Sequence, residues 1–249
     1  MLTLSSSPID TPTIGMKTDI QADERITTEA SNWVFDEHVA PHFDDHVRKS
    51  VPEYDRVQDL AAKFSDWFTY PDCTVLDLGA ATGETMLRIR DRHSKAINLI
   101  GFDNSQAMIE QAALKGVTVT FADLERLANI PDFTYGVALY TLQFLRTQAR
   151  QQLVYNIARA LQPGGGFFVV EKVLGSYPTT QDIIQQLYWD MKIANGLTPA
   201  QVLNKAHALR GCMFPKTIQE NETEFRAAGF SQIEIVFKDL QFCGWLLIR

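Results

Sequence analysis

The segment Val75-Leu76-Asp77-Leu78-Gly79-Ala80-Ala81-Thr82-Gly83-Glu84 decides how the rest of the chain is read. It begins as a short apolar run of strand length, passes directly into a turn of small residues, and continues as a helical pattern. That arrangement brings backbone N–H groups and the positive end of a helix close to any ligand above the turn. Further short apolar runs follow at residues 97–102, 117–121, 137–140 and 167–170, with helical periodicity at 83–92, 106–115 and 148–161. Strands alternating with helices predict an α/β fold whose mostly parallel sheet is covered on both faces. The end of the chain departs from this. Only Lys238-Asp239-Leu240-Gln241 separates the runs at 233–237 and 242–248, too little for a parallel crossover, so an antiparallel hairpin is expected.

Outward from the sheet, residues 32–70 read as an N-terminal helical cap. Val34, Phe35, Val39, Phe43 and Val47 carry helical spacing, Pro41 interrupts it, and a second helix starts at Tyr54 after Ser50-Val51-Pro52. Residues 179–210 form a helical insertion before a last helix at 218–228. The first 22 residues, rich in Ser, Thr and Pro, fit neither a secretory nor a mitochondrial leader and are expected to be a flexible tail, leaving 23–249 as one domain. With 45% apolar and 21% charged residues the chain can bury a sizeable core. The net charge of −7 argues against a protein that grips nucleic acid by itself. No apolar run approaches the roughly 18 residues of a membrane span. Cys73, Cys212 and Cys243 are too few and too scattered for a disulfide framework or a zinc site, so a reducing, cytoplasmic setting is expected.

Two acids complete the pattern around the small-residue turn. Asp103, at the end of the next strand, is placed to hydrogen-bond the hydroxyls of a ribose, and Asn104 follows it. Asp123, with Leu124, ends the third strand, where a carboxylate could accept from an adenine amino group. Each feature alone has an ordinary structural explanation, as a turn or a helix cap. Their order at the ends of three successive strands points to an adenosine ligand. The glycines Gly79 and Gly83 lack the spacing that admits a dinucleotide pyrophosphate, and Asp77 suits a ligand carrying an ammonium group. Together with the closing hairpin, these points favour S-adenosylmethionine.

At these residues the chain resembles the class I S-adenosylmethionine-dependent methyltransferases, and the resemblance implies a seven-stranded, Rossmann-like, mostly parallel sheet. Ala81 stands where that family's loop has its middle glycine. More narrowly, the chain is similar to the carboxy-S-adenosylmethionine synthases of the tRNA wobble-uridine pathway. The matching segments include Trp33-Val34-Phe35-Asp36-Glu37, Ser50-Val51-Pro52 with Tyr54, Asp103-Asn104-Ser105, Thr141-Leu142-Gln143-Phe144-Leu145, Glu171-Lys172 and Ala194-Asn195-Gly196. The resemblance implies that Tyr54 closes over the cofactor alongside Gly79, Ala80, Ala81, Asp103, Asn104, Asp123 and Leu124. It also implies a homodimer contacting through residues 181–210. Two positions depart from the family: Ala206 falls where an arginine grips the cofactor's added carboxylate, and Leu139 falls where an asparagine meets the cofactor. Arg210, one helical turn beyond Ala206, is the nearest replacement cation.

The remaining candidates are weaker. His38, His42 and His46 repeat every four residues, yet Pro41 breaks the helix that would align them, so a solvated face is expected and no metal site. His207 would serve as a general base if its helix lines the pocket. Lys172, at the end of the fifth strand, is placed to contact an acidic substrate. Pro163-Gly164-Gly165-Gly166 reads as a turn before a strand. The activity expected from these residues is S-adenosylmethionine-dependent methyl transfer to a small molecule by in-line attack. The alternatives are carboxy-S-adenosylmethionine synthesis with prephenate as carboxyl donor, and a non-catalytic cofactor-binding protein.

Overall fold

The computed structural model describes residue 37 and residues 39–93 and 96–249. The expected tail at 1–22, and Trp33, Val34, Phe35, Asp36 and His38 of the expected cap, lie outside the described residues. The decisive segment forms strand β1 (Thr74–Leu78), the turn, and helix α3 (Glu84–Arg92). Its strand alternates. Leu76 and Leu78 point into one apolar layer with Leu153, Val154 and Ile157 of α5 (Thr147–Ala160) and Phe225 of α8 (Ile218–Ala228). Val75 points into the opposite layer with Val57 and Ala61 of α2 (Tyr54–Phe64) and Ile89 of α3. A strand buried on both faces can be apolar at nearly every position, which is why its period is weak in the sequence.

The remaining strands are β2 (Asn98–Asp103), β3 (Val119–Phe121), β4 (Phe133–Leu139), β5 (Leu161–Leu174), β6 (Lys216–Thr217), β7 (Gln232–Asp239) and β8 (Phe242–Ile248). They lie in the order β3-β2-β1-β4-β5-β8-β7, with β6 pairing the far end of β5. β8 runs antiparallel to both β5 and β7, as the short connection requires, while the other paired strands are parallel. The strand order reverses between β1 and β4, the place where open α/β sheets leave a crevice at their carboxyl ends.

The expected seven strands are present, and β6 is an eighth that two residues could not announce. Pro163-Gly164-Gly165-Gly166 lies inside β5 and not in a turn before it. The pairing with β4 shifts there, between Phe133↔Leu161 and Tyr135↔Gly166, and a Cβ at Gly166 would run into the Phe68 ring.

Two helical layers roof the carboxyl edge. The cap contributes a 3-10 turn at Ala40–His42, α1 (Phe43–Ser50), α2, and a 3-10 turn at Ser65–Trp67. The insertion contributes α6 (Pro178–Ala194) and α7 (Pro199–Ala208), the latter opened by a capping box of Thr198 and Gln201. They meet over the sheet. The Tyr188 hydroxyl of α6 donates to the Ser50 carbonyl at 2.7 Å, and the Lys205 ammonium of α7 reaches His46 and Ser50 on α1. Among the described residues no helix is long and apolar enough to cross a membrane.

Candidate active site

Roof and sheet edge enclose a cavity of about 1160 Å³. One half lies over the ends of β1 and β2. Gly79 takes φ +80°, where any Cβ would strike the Thr141 side chain, so only glycine fits. Ala81 also has positive φ, at 46°, and its N–H donates to Asp103 Oδ2 at 2.9 Å. Ser105 donates its N–H to Oδ1 of the same carboxylate at 2.8 Å. Each Asp103 oxygen thus keeps one lone pair for a ribose hydroxyl. Burial pushes the Asp103 carboxyl upward, against the lowering effect of those N–H groups.

The expected cofactor residues divide. Tyr54, Gly79, Ala80, Ala81, Asp103, Asn104, Leu124 and Leu139 all line the cavity. Asp77, Gly83 and Asp123 are not among the lining residues. Asp77 is fully buried behind the loop, its Oδ2 has no hydrogen-bond partner, and burial next to Asp103 pushes its carboxyl up to about 8. Gly83 supplies the positive φ of 76° that starts α3. Asp123 caps its own turn, accepting the Glu125 N–H at 3.0 Å and pairing with Arg126 at 3.4 Å. The cavity wall takes its neighbours, Leu124 and Glu125, instead. The lining backbone of Gly79–Ala81, the buried Asp103 carboxylate and the apolar Leu124 and Phe144 side chains fit an adenosyl group.

The second half lies over β4, β5 and β8, beneath α6 and α7. Lys172, Lys192, Lys205, Ala206 and Arg210 line it, whereas the acids Glu84, Asp103 and Glu125 line the first half. Arg146, whose N–H meets Glu125, is the cation on the acidic side. Lys172 and Lys192 both lie over the Tyr188 ring, at 5.2 and 4.1 Å from its centroid. Burial lowers the Lys172 ammonium to about 8. Its neighbour Glu171 faces the other side of the strand, where its Oε1 accepts the Leu142 N–H at 2.9 Å; burial raises this carboxyl to about 7.

Several expectations change here. His207 is half-buried and is not among the lining residues, although its neighbour Ala206 is. His46, expected on a solvated face, is buried, lines the cavity and contacts Lys205, while His42 is exposed. No group of three His, Cys, Asp or Glu side chains suited to a metal occurs among the described residues. Tyr140, Tyr188 and Phe242 are lining residues that the motif reading did not single out. Tyr140 carries the one available signal, an aromatic residue directly after a central strand.

The comparisons agree with this geometry. A family model described as a methyltransferase domain matches residues 75–165. The carboxy-S-adenosyl-L-methionine synthase of Staphylococcus epidermidis is 30% identical over 222 residues, covering 87% of this chain and 97% of its own length. That of Sulfurimonas denitrificans is 31% identical over 234 residues, covering 91% and 99%. The structure of human N-acetylserotonin methyltransferase superposes with a TM-score of 0.55 over 85% of this chain and 58% of its own, at 14% identity, a likeness of fold alone. The chain is therefore a class I S-adenosylmethionine-dependent transferase of the methyltransferase superfamily, with S-adenosylmethionine or a derivative as cofactor. Within that class it belongs to the carboxy-S-adenosylmethionine synthase family.

Proposed function

We propose that this chain makes carboxy-S-adenosylmethionine, placing a carboxyl group from a second, anionic small molecule on the cofactor's methyl carbon. The observation that carries this reading is the basic second half of the cavity. Lys172, Lys192, Lys205 and Arg210 there suit both an anionic donor such as prephenate and a carboxylated product. Bound S-adenosylmethionine supplies a methyl group activated by its sulfonium. The chain's own residues position it: Asp103 takes the ribose, the Gly79–Ala81 backbone lies against the adenosyl group, and Tyr54 covers it. Cap and insertion exclude water, which strengthens the attraction between the lysines and an anion. A homodimer in a cytoplasmic setting, built through the exposed Ile183 and Leu187 of α6, belongs to the same proposal.

Methyl transfer to a small acceptor remains the second reading, favoured by Ala206. That methyl group faces the cavity where the family's arginine would grip the added carboxylate. Against it, His207 does not reach the cavity wall to act as base. Incubation with S-adenosylmethionine and prephenate, followed by mass spectrometry of the nucleotide, separates the two. A gain of one carboxyl group supports the proposal; S-adenosylhomocysteine or unchanged cofactor sinks it.

A further inference from the structure

Behind the turn that joins the two halves of the cavity lies a set of buried charges that the transfer chemistry does not touch. Glu171, near the end of β5, is fully buried on the face away from Lys172 and is not among the residues lining the cavity. Arg150 of α5, equally buried, pairs with Glu224 of α8 at 3.0 Å and donates to Asn221, and Lys216 of β6 reaches Glu224 at 2.9 Å. Glu171, Arg150 and Glu224 thus sit out of water. Packed apolar residues of similar volume would often hold a core as well as such charges do, so stability alone gives no reason for them.

What Glu171 holds supplies the reason. Its Oε1 accepts the Leu142 N–H at 2.9 Å, at the start of the 3-10 turn Leu142–Phe144, while Oε2 has no hydrogen bond among the described residues. That turn meets three parts of the cavity wall. Thr141 packs so closely on Gly79 of the cofactor loop that a Cβ there would collide with its hydroxyl oxygen. Gln143 accepts the Lys172 N–H on its Oε1 at 2.6 Å. The Gln143 carbonyl accepts the Phe214 N–H at 2.7 Å, from the connection after α7. Just before the turn, Tyr140 has φ +60°, unusual for an aromatic residue, and its N–H bonds to the Val170 carbonyl at 2.6 Å. Such a conformation persists only where the surroundings over-determine it, and Glu171 supplies a charged anchor beside it.

We propose that Glu171 is a positioning residue for the cofactor: its ionised carboxylate, backed by Arg150, fixes the 141–144 turn, and the turn props the Gly79 loop where the adenosyl group lies. This goes beyond the choice of transferred group and holds for either. The N–H groups of Thr141, Leu142 and Gln143 and the Arg150 guanidinium all favour the ionised form, while burial opposes it more strongly and raises the carboxyl to about 7. The groups around it are Arg150 from α5, Tyr140 from the segment after β4 and Cys243 opposite it on β8, with Glu224 and Lys216 beyond Arg150. Protonation weakens the acceptor that holds the turn and leaves Arg150 without this partner charge. Cofactor affinity is therefore full above pH 7 and falls below it.

The test is calorimetry of S-adenosylhomocysteine binding to the full chain between pH 6 and pH 8, comparing the parent with Glu171→Gln, which copies the protonated form. At pH 8 the variant should bind about fivefold more weakly, and by pH 6 the two should agree within about twofold. Asp77 and Asp103, the raised carboxyls beside the cofactor loop, are present in both proteins and cancel in the comparison. A Glu171 that served stability alone would lower the melting temperature without this pH-dependent gap. Melts without ligand verify that the variant folds. Carbon-13 NMR of the parent, labelled at its glutamate carboxyls, reads the same linkage with no substitution. The Glu171 signal, known by its midpoint near 7, should titrate about 0.7 pH unit lower with S-adenosylhomocysteine bound, the equivalent of fivefold. Equal binding of parent and variant at pH 8, a gap that stays constant down to pH 6, or a Glu171 midpoint unmoved by the ligand overturns the proposal.

Discussion

Ala81 and Gly79 sit in one loop, both at positive φ, and differ in what their side-chain positions meet. At Gly79 a Cβ would collide with Thr141, whereas Ala81 already carries one and bears only the cost of its backbone region. That cost is about 1–2 kcal/mol for a residue with a Cβ, partly offset because alanine has less freedom than glycine in the unfolded chain. Ala81→Gly is therefore expected to leave the melting temperature unchanged or raise it slightly, with cofactor binding retained. Gly79→Ala should lower stability by at least about 2 kcal/mol. Scanning calorimetry of the two variants checks this, and a destabilised Ala81→Gly would show that the departure from the family glycine is not merely tolerated. Both positions are legible in the sequence as a small-residue turn; the collision at one of them is not, because Thr141 follows a strand that is distant in the chain.

At the scale of elements, α1, α6 and α7 meet without any motif to announce it. The contact rests on the Tyr188 hydroxyl against the Ser50 carbonyl and on Lys205 against His46, pairs separated by well over a hundred residues. Strand and helix periodicity shows that a cap and an insertion exist, since each needs only local patterning. It cannot show that they share one cavity. This is also why His46 reads as a surface histidine from its acidic neighbours alone. The trio of turn, Asp103 and the third-strand segment was legible because consecutive strand ends converge by topology. Of the two neighbours expected there, Leu124 lines the cavity, whereas the Asp123 carboxylate caps its own turn. On α6, Ile183 and Leu187 remain exposed one helical turn apart, an apolar pair that suits an isologous contact. If the proposed dimer forms through this pair, Leu187→Lys should yield single chains in light scattering. A parent protein that already has the mass of one chain would refute that part of the proposal.

For the molecule as a whole, the net charge of −7 hides a cavity that is acidic at one end and basic at the other. The basic end gives the pH dependence. Lys172 faces Tyr188 and Lys192 from α6, Phe242 from β8, and Tyr140 and Gln143 from the segment after β4, and its ammonium is lowered to about 8 from 10.5. Anion affinity is therefore expected to be full below pH 8 and to fall, up to about tenfold per pH unit, above it. Folding stability has the opposite sign. The native pKa lies below the unfolded one, so without ligand the native state binds fewer protons between these values and Lys172's contribution to stability rises with pH across that window. Calorimetric titration of prephenate and thermal melts over pH 7 to 10 read the two trends separately. The identity of the transferred group is tested most directly with S-adenosylmethionine deuterated on its methyl group, incubated with prephenate and analysed by mass spectrometry. Carboxylation leaves an adenosyl nucleotide that has gained a carboxyl group and lost one deuteron of the methyl. Methyl transfer instead yields S-adenosylhomocysteine and an acceptor carrying the whole deuterated methyl, and that result would contradict the account.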